Sequence, residues 1–440
     1  MNLVVCADVG STYTKVAVVD ADTGELRGTA AHRTTVDSDV LDGLDAAVAA
    51  AGGDGYERLV CSSAGGGLRL AVVGYESLVT AKAGTRVGLS AGARVVHVAA
   101  GPLDGTGVAA LREARPDVVL LVGGTDGGDA EVLLHNGQRL ARARLRVPVV
   151  LAGNVAVRDQ VARVLAERRV PVVACDNVLP RIGVLRPEPA RAAIREVFTR
   201  HVIGGKRLSR GTRFARMVLA ATPDAVLAGV ELLADGLAGD LAVLDVGGAT
   251  TDVYSVRVPD AHRQAAAREV AGTQWRGRTV EGDLGVRWSA TGVVRAAAAQ
   301  RLLAPGEEEV LAPAATRRAD EPGLVAAGAA EREHDLRLAA LAGTLGLRRH
   351  VRDGADLSEV RVLIGSGGVL RHASADRAAG VLRAALGDHE GGWALPRRAA
   401  VAVDADHVLA PAGLLAARYP RAARALLRSR LPDVHAPSAR

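Results

Sequence analysis

The sequence predicts an α/β protein in which two similar strand–turn–strand units are held face to face, with a further α/β lobe inserted between them. Three observations predict it. Residues 4–19 and 241–256 echo one another: an apolar run ends in Asp-x-Gly (Asp8-Val9-Gly10, Asp245-Val246-Gly247), hydroxyls follow, and a second apolar run begins. That is the pattern of two strands joined by a tight turn. Across 58–190, short Val/Leu runs alternate with helical spacing, the mark of buried parallel strands and their crossovers. A late strand, 360–364, runs into the glycine turn Gly365-Ser366-Gly367-Gly368.

In chain order, the first hairpin is followed by a third strand over 26–33 and a helix over 40–51. Asp37, Ser38 or Asp39 can cap this helix, and Gly52-Gly53 ends it. Strands are expected at 59–63, 68–73, 95–98, 118–122, 149–152 and 172–174, with Gly65-Gly66-Gly67 between the first two and a helix over 155–168. Residues 190–240 read as mostly helical, 257–287 as a polar connection that regains order near Thr279, and 290–358 as helices with loops at 305–309 and 319–323. A last strand at 400–403 leads into a helix, and the end should fray from Ser429. The implied division is 1–58 for the start of a first lobe, 59–190 for an inserted α/β lobe that completes or elaborates the first, 191–400 for a second lobe, and 401–440 returning to the first.

A chain of 440 residues suits two or three domains. Apolar residues make up 49% but aromatics only 2%, so the cores must be built from Val, Leu and Ala. No apolar, charge-free run reaches the roughly 18 residues of a membrane span, and the first residues enter a strand without a basic start or cleavage site. Cys6, Cys61 and Cys175 are dispersed and odd in number, which fits neither a disulfide framework nor a zinc site. A cytoplasmic location is expected. The net charge of +6 comes from scattered arginines with few aromatics to stack on bases, so no nucleic-acid partner is expected. Lysine survives only at Lys15, Lys82 and Lys206; retained in an arginine-rich chain beside the first turn, Lys15 suggests that an ammonium is wanted there.

The turns carry the candidate chemistry. Gly10, Ser11, Thr12 and Thr14 can aim backbone N–H groups and hydroxyls at one anion. Asp8 can hold Mg²⁺ directly or through water, and Lys15 can neutralise a transferring phosphate. In the echo, Asp245 is a metal-linked or water-orienting carboxylate, while Gly247, Gly248, Ala249, Thr250 and Thr251 form the cradle. Asp252 serves either the site or the turn. Gly365, Ser366, Gly367 and Gly368 let a flat nucleoside approach backbone closely. Glu281 and Asp283 either reach the nucleotide or cap the next segment. The loop Gly123-Gly124-Thr125-Asp126-Gly127-Gly128-Asp129, with Asn154 and Asp176-Asn177 on the same strand ends, is either a ligand rim or a tight turn.

The order Asp8-Val9-Gly10-Ser11-Thr12, Asp245-Val246-Gly247-Gly248-Ala249-Thr250-Thr251-Asp252, Gly365-Ser366-Gly367-Gly368 resembles the phosphate-1, phosphate-2 and adenosine motifs of the actin, sugar-kinase and Hsp70 ATPase superfamily. The resemblance implies a two-lobed actin/Hsp70-like ATPase with duplicated ribonuclease-H-like lobes and an inserted α/β domain. ATP and Mg²⁺ would lie between the lobes, with Asp8 and Asp245 facing the metal and attacking water. Leu120-Leu121-Val122-Gly123-Gly124-Thr125-Asp126-Gly127-Gly128-Asp129 and Arg278-Thr279-Val280-Glu281-Gly282-Asp283-Leu284-Gly285 further resemble the glutamate mutase accessory family, the mutase-type MutL rather than the mismatch-repair protein. That implies an ATP-dependent, chaperone-like reactivating factor for an adenosylcobalamin-dependent mutase. No Asp-x-His-x-x-Gly cobalamin signature surrounds His32, His97, His135, His201, His372 or His407. Rival readings are a small-molecule or sugar kinase of the superfamily, with Asp245 as base, and an actin-like ATP-switched assembly protein. A dehydratase activator would need clustered cysteines for an iron–sulfur centre, and the dispersed ones count against it.

Overall fold

The computed structural model describes residues 1–65, 68–76, 79–205, 207–237, 239–257 and 276–435. Gly66, Gly67, Lys206 and most of the expected polar connection lie outside them. Strands β1 (Leu3–Val9), β2 (Tyr13–Asp20) and β3 (Leu26–Arg33) form an antiparallel meander, and β4 (Glu57–Ser62) adds parallel to β1. The chain then builds a wholly parallel sheet from β5 (Leu68–Gly74), β6 (Ala93–Ala100), β7 (Val118–Leu121), β8 (Val149–Leu151) and β9 (Val172–Ala174), in the order β6-β5-β7-β8-β9. It returns at β10 (Val218–Ala221), which pairs parallel with β4 and completes the sheet β10-β4-β1-β2-β3. Strands β11 (Asp240–Val246), β12 (Thr251–Val256), β13 (Arg276–Glu281), β14 (Val360–Ser366) and β15 (Ala400–Val403) then form β15-β14-β11-β12-β13. The first and last sheets therefore share one topology: a three-strand meander, then two strands parallel to its first. This is the duplicated, two-lobed arrangement expected of the actin-like superfamily, with the parallel sheet inserted between β4 and β10.

Alternation along β1 and β2 explains the layering. Val5, Ala7, Val9, Val16 and Val18 face the helix Val40–Ala50, whose cap is Asp39, accepting from Leu41 N at 2.9 Å. Val4, Cys6, Ala17 and Val19 face the opposite way, into a core that also takes Leu241, Val243, Tyr254 and Ile364 from the last sheet. Between the two sheets lie the helices Thr222–Asp235 and Leu409–Leu415. They touch backbone to backbone: a Cβ on Gly413 would lie 1.8 Å from Ala225 O, and one on Gly229 would lie 2.0 Å from Leu409 O.

Some elements differ from expectation. Strand β4, in the segment expected to complete or elaborate the first lobe, pairs in the first sheet, and β10, expected in the second lobe, pairs there too. A four-residue apolar run such as Val218–Ala221 carries too few residues to separate strand from helix by periodicity. Strand β15 belongs to the last sheet, while the helix after it packs on β1 and β4. The end does not fray from Ser429: the helix Pro420–Arg430 buries Leu426 and Leu427, and a short helix follows at Pro432–His435. The stretch near Thr279 is a full strand, β13, on the edge of the last sheet.

His350, on the helix Ala329–Arg352, is buried between β12 and β13, its Nε2 2.8 Å from Ser255 Oγ and its Nδ1 3.0 Å from Thr279 Oγ1. Burial lowers its pKa from 6.5 to about 4. The folded ring stays neutral while the unfolded ring takes a proton, so stability is lost as pH falls from 6.5 towards 4. The loss is on the order of 3 kcal/mol from this group. Urea midpoints should fall over that window in the wild type and fall less in His350→Gln.

Candidate functional site

The two hairpin turns are built alike. Gly10 N donates to Tyr13 O at 3.1 Å, and Gly247 N to Thr250 O at 2.9 Å. Asp8 stands opposite Lys15 in the β1–β2 ladder, and Asp245 opposite Asp252 in β11–β12. Each turn is braced by the chain that follows its meander. Thr34 N donates to Thr12 O at 2.9 Å and Thr34 Oγ1 to Gly10 O at 2.9 Å. Val286 N donates to Gly247 O at 3.0 Å and Arg287 N to Gly248 O at 2.8 Å. The turns face one another closely: a Cβ on Gly248 would sit 3.9 Å from Thr12 Oγ1. The third turn leans on the second. Gly367 has φ +107° and leaves only 2.1 Å between a Cβ and Val246 O, so no other residue fits there.

Asp8, Lys15, Thr222, Asp245, Ser366 and Asp404 line one cleft between the lobes, joined by Arg371 and His407. Asp8 Oδ1 accepts from Thr222 Oγ1 at 2.5 Å and lies 3.8 Å from Cys61 Sγ. Burial pushes the Asp245 carboxyl up to about 6; Lys15 opposes that, and Asp252 and Asp8 add to it. Asp404 is likewise pushed up to about 6 by burial, against the pull of the Val408 and Leu409 amides it caps. Burial, then the positive charge of Lys15, holds His407 well below its usual range. Lys15 makes no ion pair within 4.0 Å among the described residues. Two carboxyls reluctant to ionise beside an unpaired ammonium form a site that gains from a ligand carrying both anionic oxygens and a cation. Thr222→Val removes the donor that orients Asp8; if the cleft turns over a nucleotide, steady-state phosphate release should fall about tenfold with little change in affinity.

Gly10, Ser11, Thr12, Lys15, Gly247, Gly248, Ala249 and Thr250 lie on or beside the facing turns, and Gly368 opens the third onto free space. Four candidates sit elsewhere. Thr14 is fully buried, 3.1 Å from Thr34 Oγ1, and Thr251 is fully buried, donating to Leu284 O at 2.7 Å. Alternation turns both away from the face that carries Asp8 and Asp245. Gly365 is a packing position, where a Cβ would meet Leu370 and Leu382 at 2.8 and 2.9 Å. Glu281 is held by Arg349 at 2.6 Å, which also grips Asp283, and neither carboxylate lines the cleft. Asp252 is locked by Arg278 and Thr250. No local motif in the sequence marks Thr222, Asp404, Arg371 or His407 as site residues. The missed signal is the duplication itself: Thr222 follows β10 as Asp404 follows β15.

In the inserted lobe, Asn154 and Asn177 are buried and their amides tie down the glycine loop, Asn177 Nδ2 to Gly124 O and Asp126 Oδ1 at 2.9 Å each and Asn154 Nδ2 to Gly128 O at 3.0 Å. Their polar groups are spent on the turn. No cluster of metal-ligating side chains and no helix long and apolar enough to cross a membrane occurs among the described residues.

A curated relative, Protein MutL of Clostridium tetanomorphum, is 33% identical over 465 aligned positions, covering 99% of this chain and 100% of that one. Solved structures with a similar course include a ROK family glucokinase from Streptomyces griseus in complex with glucose and AMPPNP (13% identity, 93% of this chain and 97% of that one, TM-score 0.35). Another is the (R)-2-hydroxyglutaryl-CoA dehydratase component A of Acidaminococcus fermentans (10% identity, 97% and 99%, TM-score 0.31). The family model described as MutL protein matches residues 4–431, and the chain belongs to that family.

Proposed function

We propose that the chain binds Mg-ATP between the Asp8 and Asp245 turns and hydrolyses it to drive lobe motion that serves an adenosylcobalamin-dependent mutase, as a reactivating factor. The observation that carries the nucleotide reading is the pair of like-built turns facing each other across a cleft with Asp8, Lys15 and Asp245 on its walls. Membership of the MutL family supports the mutase as partner. The backbone N–H groups around Ser11, Thr12, Gly248 and Ala249 suit phosphate oxygens, and Lys15 offsets their charge where water is displaced. Two carboxylates without a third protein ligand fit Mg²⁺, which takes one or two carboxylates together with substrate phosphates and water. Asp8 and Asp245 would hold it, and bound Mg²⁺ neutralises phosphate charge. Asp245 orients the attacking water, and Ser366, Gly367 and Gly368 border the nucleoside. The crossing of Thr222–Asp235 over Leu409–Leu415 is the pivot for lobe closure, because helix ends reach directly from Asp8 and Asp404 into it.

The test is ATP turnover with and without a cobalamin-dependent mutase that has been inactivated during catalysis. Phosphate release accompanied by recovery of mutase activity supports the reading. Phosphorylation of a small molecule with no recovery of any mutase would replace it with a kinase, and ATP-dependent sedimentation would replace it with an assembly protein.

A further inference from the structure

Two chains of contacts leave the facing turns and end at the same place in the inserted lobe. From the second turn, Thr250 Oγ1 donates to Asp252 Oδ2 at 2.9 Å. The other oxygen, Oδ1, accepts from Arg278 Nη2 at 2.5 Å and Nε at 3.1 Å. Arg278 Nη1 then reaches out of the last sheet, donating at 3.4 Å to the carbonyls of both Leu89 and Ala93. Leu89 lies in the final turn of the helix Thr80–Ser90 and Ala93 opens β6, so the guanidinium stands at a helix C-terminus, where a cation is favoured. From the first turn, Asp8 is held by Thr222, the first residue of the helix Thr222–Asp235. Two residues on, the Asp224 amide presses on Gly92, where a Cβ would lie 2.8 Å from it and φ is +80°. The turn at 89–93 is thus bonded by Arg278 from the second half and packs at Gly92 against the helix that Asp8 anchors in the first.

Arg278 is 3% exposed and Asp252 8%. Desolvating such a pair cancels most of its attraction, so stability alone is a weak reason for it. Its geometry gives a better one. A planar fork bonds a carboxylate and two carbonyls at once, and the Tyr254 ring, 5.6 Å from the guanidinium carbon, fixes its plane. Both Asp252 contacts fall on one oxygen; the second oxygen is occupied by the Thr250 hydroxyl.

We propose that Arg278 couples the phosphate-2 turn to the inserted lobe, so that nucleotide binding releases the 89–93 turn. This rests on the nucleotide reading of the two turns. A phosphate that recruits the Thr250 hydroxyl leaves Asp252 Oδ2 without its donor. The guanidinium then moves to a side-on pair with both carboxylate oxygens, which draws Nη1 away from Leu89 and Ala93. By reciprocity, anything that holds the inserted lobe against Arg278 weakens nucleotide binding by the same factor.

Amide hydrogen exchange on the full chain, with and without saturating Mg-AMPPNP, reads this directly. In the wild type, peptides covering 89–95 should exchange severalfold faster with nucleotide bound. In Arg278→Lys, which keeps the charge and loses the fork, nucleotide should still bind but exchange at 89–95 should no longer respond. Thr250→Val, which leaves Asp252 Oδ2 without its donor at all times, should exchange fast at 89–95 both with and without nucleotide, with Mg-AMPPNP binding checked separately, and carries the test if the lysine variant does not fold. Unchanged or slower exchange at 89–95 in nucleotide-bound wild type overturns the coupling alone, as does a wild-type response in either variant. Failure of the wild type to bind nucleotide overturns the reading of the turns and this coupling with it.

Discussion

If the two turns hold Mg-ATP as proposed, Asp245→Ala should abolish ATP hydrolysis, by at least about a hundredfold, and leave the fold intact. The carboxyl stands at the end of a buried strand, opposite Asp252 and across the cleft from Asp8, and burial already pushes its pKa up to about 6. The fold therefore gains little from its charge, which on the proposed reading serves the nucleotide-bound state. Its neighbours in the strand, Leu244 and Val246, are buried and would keep the strand in place. Asp8→Ala should behave alike, with Thr222 losing its acceptor. Phosphate release measured beside thermal melting separates the two effects: turnover disappears while the melting temperature holds. Unchanged turnover in both variants would remove the nucleotide site from these turns.

Gly413→Val destabilises the protein by more than about 3 kcal/mol, beyond the usual cost of overpacking. In a helix interior the loss of a glycine normally helps, by about 1 kcal/mol for Gly→Ala. At Gly413 the first added carbon would lie 1.8 Å from Ala225 O, and backbone cannot give way as a side chain can. The two crossing helices would separate and open the core shared by both lobes. Gly380, in the helix Ala375–Leu386 with nothing within 4 Å of a Cβ, is the control. Gly380→Ala should stabilise slightly, and chemical denaturation of both variants measures the contrast. A mild effect at Gly413 would mean that the lobes are not joined through this crossing.

What was legible in the sequence is what local chemistry dictates. Asp8 with Gly10 and Asp245 with Gly247 stood out because a tight turn between apolar strands restricts residue types within a few positions. The inserted strands stood out as apolar runs, continuous where β5, β7 and β8 are covered on both faces. The hold of Arg349 on Glu281 is not legible in the sequence, because the two lie 68 positions apart on different elements. Thr14 and Thr251 could have been assigned inward from alternation alone, since each adjoins a residue that shares a face with Asp8 or Asp245. Asp404 and Thr222 were hidden for a topological reason. Only when β10 is seen as the fifth strand of the first sheet does Thr222 become the counterpart of Asp404, each ending a fifth strand and starting a crossing helix.

The central claim is that both turns hold one nucleotide together. It is tested most directly by the amide-exchange footprint of one equivalent of Mg-AMPPNP on the full chain. The account predicts simultaneous protection of 10–13 and 247–250, saturating at one nucleotide per chain. Protection of one turn without the other, or of neither, would contradict it.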